Sequence, residues 1–285
     1  MRFWKYEGLG NDFVVVEEPV ESDAAAALCD RRLGIGADGV LALGAPSCGG
    51  DASVAVLNSD GSEAEVCGNG LRCIALHLAQ SRGGTTVTLE AGSGLRRCSV
   101  VSMEGPRGAT VEVEMGRPVM DRPAIPVRGT GRLVQEPIEV LGRTLHLTAV
   151  GLGNPHAVTF DPVAPDEVPV LGPAIERHGL FPARVNVGFA SLAGAHELRL
   201  IVWERGAGLT GACGSGACAA VAAGCEIGLL QPGEPVRVIQ PGGALTVAVQ
   251  KDGSVLMTGP ARLVFRGEVD LRALLAARAT APAPR

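Results

Sequence analysis

Cys67-Gly68-Asn69-Gly70 and Cys213-Gly214-Ser215-Gly216 are the two segments from which the fold can be read. Each is a cysteine followed by a small, glycine-rich loop, and each opens an alanine- and leucine-rich run with the look of a helix. The first N–H groups of a helix have no intrahelical acceptor, and the helix dipole adds partial positive charge there. A cysteine at such a place is expected to have its thiolate stabilised and its pKa lowered. The surroundings repeat as well. Gly8-Leu9-Gly10-Asn11 recurs as Gly151-Leu152-Gly153-Asn154, and Asn58 precedes Cys67 by the interval that separates Glu204 from Cys213. A pattern that returns over half the chain is the mark of duplication. It predicts two similar halves, each bringing one thiol to a shared cleft.

The 285 residues fit two domains of ordinary size, near 1–130 and 131–285, with a Pro- and Gly-rich crossing at 117–132. Apolar residues make up 46% of the chain, enough for a packed core. The net charge of −5 carries no block of like charge, which argues against nucleic-acid and membrane-surface roles. No apolar run reaches the length of a membrane span. Met1-Arg2 leads directly into an alternating strand, so no leader and a cytoplasmic location are expected.

In that compartment the eight cysteines are expected as thiols rather than bridges. There is no CxxC pair, and no two of the five histidines lie close in sequence, so no metal site is expected. The only lysines are Lys5, in the first strand, and Lys251, in a hairpin turn. Neither suits a Schiff base, which argues against pyridoxal phosphate; no cofactor is expected. Gly34-Ile35-Gly36-Ala37-Asp38-Gly39 looks like a dinucleotide loop but follows a helix rather than a strand, so it reads as structural.

The rest of the chain is short strands with glycine turns. Helices are expected at 23–32 with Ser22 as N-cap, at about 70–81, within 165–178, within 213–230 and at 271–277, with a fraying tail from Thr280. The fold class is therefore α+β: two pseudo-symmetric domains, each a mostly antiparallel sheet around a central helix, with the active site in the interdomain cleft. The run at 217–230 is apolar nearly all round and should be buried.

The segments Gly8–Phe13, Asn58–Gly70, Gly153-Asn154-Pro155-His156, Glu204-Arg205-Gly206 and Cys213–Gly216 together resemble diaminopimelate epimerase, in that family's order. The resemblance implies a cofactor-independent isomerase that interconverts L,L- and meso-diaminopimelate, on the route to lysine and peptidoglycan, in a homodimer. Cys67 and Cys213 would be the catalytic pair. Asn58, Asn154, Asn186 and Arg205 would hold the distal end of the substrate, with Asn11 and Glu204 nearby; His156 matches a motif position without a defined role. The sequence departs from the family pattern at Gly39, where many relatives have Gln, at Leu209, where many have Glu, and at Ser215, where Thr is common.

The chemistry of the residues agrees. Inverting an amino-acid Cα takes one group to remove a proton and another, on the opposite face, to deliver one. The N–H groups of Gly68, Asn69, Gly214 and Ser215 are candidates for stabilising charge on the substrate carboxylate. Taken singly, a cysteine reads as a small buried hydrophobe, and that is the expectation for Cys29, Cys48, Cys73, Cys98, Cys218 and Cys225. The competing functions are a two-cysteine racemase for histidine or proline-type substrates and, in another class, a thiol redox or metal-binding protein. A proline racemase usually carries His after its first Cys-Gly, where this chain has Asn69.

Overall fold

The computed structural model describes residues 1–64, 67–92 and 94–280. Glu65 and Val66 of the motif before Cys67, and the tail expected to fray beyond Thr280, lie outside them. The chain forms two compact units. One is Met1–Val113 together with the chain from Pro260 onward; the other is Glu114–Gly259.

The first unit contains β1 (Arg2–Gly8), β2 (Asn11–Val16), α1 (Ser22–Cys29), β3 (Gly39–Gly44), β4 (Ala52–Asn58), β5 (Glu63–Ala64), α2 (Gly68–Arg82), β6 (Thr86–Ala91), β7 (Gly94–Glu104) and the start of β8 (Gly108–Gly116). After β9 (Glu136–Val140), the second repeats that order. It has β10 (Arg143–Gly151), β11 (Pro155–Thr159), α3 (Val168–Glu176), β12 (Asn186–Gly194), β13 (Glu197–Glu204), β14 (Gly208–Leu209), α4 (Gly214–Glu226), β15 (Val236–Gln240), β16 (Gly243–Val249) and β17 (Val255–Glu268). A last helix, α5 (Leu271–Thr280), belongs to the first unit.

The pairing senses repeat too. β1/β2, β3/β4, β6/β7 and β7/β8 are antiparallel, while β2/β3 and β4/β6 are parallel. In the second unit β10/β11, β12/β13, β15/β16 and β16/β17 are antiparallel, while β11/β12 and β13/β15 are parallel. Each half is thus mostly antiparallel, as expected, with two parallel pairs whose crossovers contain the helices.

The expected division at residue 130 is corrected: the second unit starts at Glu114, and the chain returns to the first at Pro260. The reason is strand pairing. The C-terminal part of β17, Arg262–Glu268, pairs with β1, whereas β9 takes the corresponding place beside β10. The Pro- and Gly-rich stretch 117–132 lies wholly inside the second unit, where Val119 bridges Gly151.

Both central helices are buried. In α2, Leu71, Ile74, Leu76 and Leu78 are shut away from solvent, each contributing about 1.5–3 kcal/mol by burial. In α4 every residue from Gly214 to Gly224 is buried, as its uniformly apolar sequence requires. Smaller helices cover the other face of each sheet. α1 packs Ala25 and Leu28 with Val14, Val16 and Val40, and α3 places Leu171 and Ile175 among Leu147, Val187 and Phe189.

Two local expectations fail. Ser22 does not cap α1. It is the helix's first residue, and its hydroxyl donates to Gly61 O at 2.7 Å. Cys48 is exposed rather than buried, in a loop whose N–H groups at Ser47 and Gly50 donate to the Glu90 carboxylate. Cys29, Cys73, Cys98 and Cys218 are buried, and Cys225 is half-buried. Among the described residues no helix is long and apolar enough to cross a membrane.

Candidate active site

Cys67 and Cys213 are the N-caps of α2 and α4, with nearly the same backbone, φ −122° and ψ 102° against φ −123° and ψ 111°. In each the sulfur turns back over the helix end. Cys67 Sγ accepts the Gly70 N–H at 3.3 Å, and Cys213 Sγ accepts the Gly216 N–H at 3.3 Å. Cysteine thus does the work usually given to serine or aspartate at a cap. Glycine at the third helical position lets neighbouring side chains pack close. A Cβ on Gly70 would lie 2.9 Å from Leu41 Cδ2, and one on Gly216 would lie 3.1 Å from Val202 Cγ2 and 3.2 Å from the thiol sulfur itself. Gly68, Asn69, Gly214 and Ser215 form the first turns, where the helix supplies no acceptor for their N–H groups.

In the first unit the thiol sits at the end of an oriented chain of polar groups. The Cys67 thiol donates to Asn11 Oδ1 at 3.9 Å, and Asn69 Nδ2 donates to the same oxygen at 3.2 Å. Asn11 Nδ2 in turn donates to Asp38 Oδ2 at 2.8 Å. Asp38 and Asp12 share Arg31, and Asp12 also takes Lys5 at 2.6 Å. Burial alone would raise the Asp12 carboxyl, but hydrogen bonds from Arg31 and Lys5 outweigh it and hold the group down at about 2. Asp38 comes from the glycine loop that reads as structural, so this loop also orients Asn11. Asn58 ends β4 opposite Gly39, and its amide donates to Ser62 Oγ in the following turn.

The second unit surrounds its thiol differently. Cys213 Sγ lies 3.7 Å from Ser215 Oγ, and Asn154 Nδ2 donates to that hydroxyl at 3.3 Å. His156 Nε2 is 2.8 Å from Asn154 Oδ1. Since the Asn154 nitrogen already donates to Ser215, its oxygen must accept from His156, which fixes the proton on Nε2. Burial, and then the charge of Arg205, lower the His156 pKa to about 3, so the ring is neutral. His156 lies opposite Asn186 on the parallel pair β11/β12.

Both ends of the Asn186 amide are engaged within the fold: Nδ2 donates to Pro155 O at 2.9 Å, and Oδ1 accepts the Arg205 N–H at 2.9 Å. Asn186 therefore shapes the Arg205 loop. Glu204 accepts a hydrogen bond from the Thr210 hydroxyl. Leu209, half exposed, pairs with Trp203 across β13 and β14.

Three residues of these groups are not apparent in the sequence. Arg72 is fully buried in α2 and donates to Asn69 Oδ1 at 3.0 Å and Pro260 O at 3.0 Å. Glu176, buried at the end of α3, accepts from Trp203 Nε1 at 2.8 Å and from the Gly206 N–H at 3.1 Å, pinning the turn that carries Arg205. Gln240 ends β15 with its Oε1 accepting the Cys213 N–H at 2.8 Å. A lone Arg, Glu or Gln in an amphipathic run has the pattern of a solvated residue, and no local signal marks these as buried.

Known proteins match this chain in sequence and in fold. The diaminopimelate epimerase family model covers residues 3–120 and 148–264. The diaminopimelate epimerase of Carboxydothermus hydrogenoformans is 45% identical over 277 residues, covering 94% of this chain and 99% of its own. That of Moorella thermoacetica is 44% identical over 282 residues, covering 95% and 100%. Among solved structures, a hydroxyproline epimerase from Agrobacterium vitis superposes with TM-score 0.64 at 18% identity, covering 95% of this chain and 91% of its own. A phenazine biosynthesis protein of Bacillus anthracis does so with TM-score 0.66 at 14% identity, covering 95% and 99%. These two likenesses speak for the fold alone. The sequence matches go further: the chain belongs to the diaminopimelate epimerase family of isomerases.

Proposed function

We propose that this protein interconverts L,L- and meso-diaminopimelate, with Cys67 and Cys213 acting as base and acid on opposite faces of one Cα. The thiolate takes the Cα proton, the electron pair passes into the adjacent carboxylate, and the other thiol delivers its proton to the opposite face. The products are the inverted carbon and a thiol pair whose protonation is exchanged. The reverse reaction starts from that state, so the two groups titrate as a pair. The observation that carries this reading is the matched capping geometry: two cysteines, in two units of one topology, each with its sulfur over a helix N-terminus.

The N–H groups of Gly68, Asn69, Gly214 and Ser215 stabilise the charge that develops on the substrate carboxylate, each worth about 3 kcal/mol. Arg205, its backbone held by Asn186, takes the distal carboxylate through two hydrogen bonds. Asn58, Asn154 and Glu204 complete the recognition, with Asn11 orienting the first thiol. The setting this reading implies is a cytoplasmic homodimer supplying lysine and peptidoglycan precursors, and it rests on family membership.

The test is incubation of L,L-diaminopimelate with the protein in heavy water. Deuterium should appear at the inverted Cα, and Cys67→Ala and Cys213→Ala should each lower turnover at least about 100-fold. Absence of deuterium, or wild-type turnover in either variant, would refute the reading.

A further inference from the structure

Gln240 closes β15 and is 5% exposed. Its Oε1 receives the backbone N–H of Cys213, and the turn that follows is tied to the same loop by the Gly242 N–H, which donates to Gly211 O at 2.7 Å. The loop that presents the second thiol is therefore clamped to the β15/β16 hairpin at two points.

The duplication supplies an internal control. Gln240 pairs with Gly243 at the end of β15/β16, and Ala91 pairs with Gly94 at the end of β6/β7. Gln240 thus occupies the place in the second unit that Ala91 occupies in the first. A methyl group has no acceptor, so Ala91 cannot hold a backbone N–H as Gln240 does.

The other end of the Gln240 amide shows what this clamp costs. Nε2 is buried and makes no hydrogen bond among the described residues. An orphaned buried donor is a liability that an aliphatic side chain would avoid. Its presence next to Cys213 is explained if the oxygen end is required there.

We propose that Gln240 is a positioning residue for Cys213: its side-chain carbonyl fixes the Ala212–Cys213 peptide, and so the direction in which Sγ leaves the helix cap. The proposal rests on the reading of Cys213 as a catalytic thiol. The Asn11–Asp38 chain reaches the first cysteine through its thiol, whereas the Gln240 amide reaches the second through its backbone N–H.

The experiment uses Gln240→Leu, which fills the space without an acceptor, and Gln240→Glu, which keeps an acceptor and adds charge. Turnover, KM and melting temperature are measured. So is the pH dependence of Cys213 and Cys67 alkylation by iodoacetamide, by peptide mass spectrometry. Gln240→Leu is expected to retain the melting temperature, since removal of the orphaned Nε2 offsets the loss of the acceptor for the Cys213 N–H. It should lose kcat on the order of 10–100-fold, with KM within about twofold. Gln240→Glu should recover part of kcat and move the Cys213 alkylation midpoint to higher pH, because a carboxylate opposes the thiolate, while Cys67 keeps its midpoint. Wild-type kcat in Gln240→Leu, or an unmoved Cys213 midpoint in Gln240→Glu, would overturn the proposal. So would a loss of kcat that only tracks a loss of stability. Should Gln240→Leu fail to fold, the Gln240→Glu midpoint decides. Should Cys213→Ala retain turnover, the catalytic reading fails, while the alkylation midpoints still report on the anchor.

Discussion

Arg72 Nη2 lies 3.0 Å from Asn69 Oδ1, one turn back on α2, and this bond decides which way the Asn69 amide points. With its oxygen held by Arg72, Asn69 must turn its nitrogen to Asn11 Oδ1. The oxygen of Asn11 is thereby kept on the side of the Cys67 thiol, and its nitrogen on Asp38. A buried guanidinium and an exposed carboxylate thus fix two amides whose ends would otherwise be interchangeable.

Replacing Arg72 tests the inner end of this chain. Arg72→Met removes a buried charge, whose desolvation is costly, but also the donors to Asn69 Oδ1 and Pro260 O. The lost hydrogen bonds are expected to dominate, because hydrogen bonds to charged groups are worth about 1.5–3 kcal/mol each. The expected result is a loss of about 2–4 kcal/mol in urea unfolding. Stability within 0.5 kcal/mol of wild type, on the order of measurement error, would mean that desolvation cancels the bonds.

Asp38 tests the outer end. Its side chain is 42% exposed, so its pair with Arg31 adds little to stability. Asp38→Ala should therefore leave the unfolding midpoint nearly unchanged. It frees the Asn11 amide to turn over, which would set its nitrogen against the Asn69 nitrogen and away from the role of acceptor for Cys67. Turnover is expected to fall about tenfold, and Asp38→Asn, which keeps an acceptor, should recover part of it. If Asp38→Ala turns over at the wild-type rate, Asn11 is held without it.

The capped helices are legible in the sequence because a glycine-rich opening, a thiol and an apolar run are all local signals, and the duplication states them twice. The polar residues behind the thiols are not. Arg72 sits in Leu71-Arg72-Cys73-Ile74 with nothing to show that its guanidinium faces inward. Gln240 ends an ordinary alternating strand, and Glu176 is the last residue of an apolar helix. The unit boundary is hidden for a different reason: β9 meets β10 in a local hairpin, but the return of β17 to β1 pairs segments from opposite ends of the chain, which local pattern does not encode.

Gly39 departs from the glutamine common in the family, and the backbone accounts for the glycine in this chain. A Cβ there would lie 2.7 Å from Leu57 O, an atom of the neighbouring strand rather than the end of a movable side chain. Gly39→Ala is expected to shift β4 and to cost about 1–3 kcal/mol, as overpacking does. Gly39→Gln should cost at least as much. Guanidinium unfolding measures both, and a wild-type midpoint for Gly39→Ala would show that the strands part without strain.

His156 makes stability depend on pH. The ring is buried and neutral, with a folded-state pKa of about 3 against the ordinary value of 6.5. Below 6.5 the unfolded chain binds a proton that the folded chain refuses until about pH 3, so protonation pulls toward unfolding throughout that window. The stabilising contribution is fully present above pH 6.5 and is lost as pH falls, at up to about 1.4 kcal/mol per unit. His156→Gln keeps a donor for Asn154 Oδ1 but does not titrate. Urea unfolding at pH 7.5, 6.5, 5.5 and 4.5 should show wild type losing stability more steeply than the variant by close to one proton, about 1.4 kcal/mol per unit at the steepest. Parallel curves would mean that the imidazole is charged in the folded protein. Asn154 Oδ1 could then still accept from it, but the assignment of the single ring proton to Nε2, and the neutral anchor behind Ser215 and Cys213, would be lost.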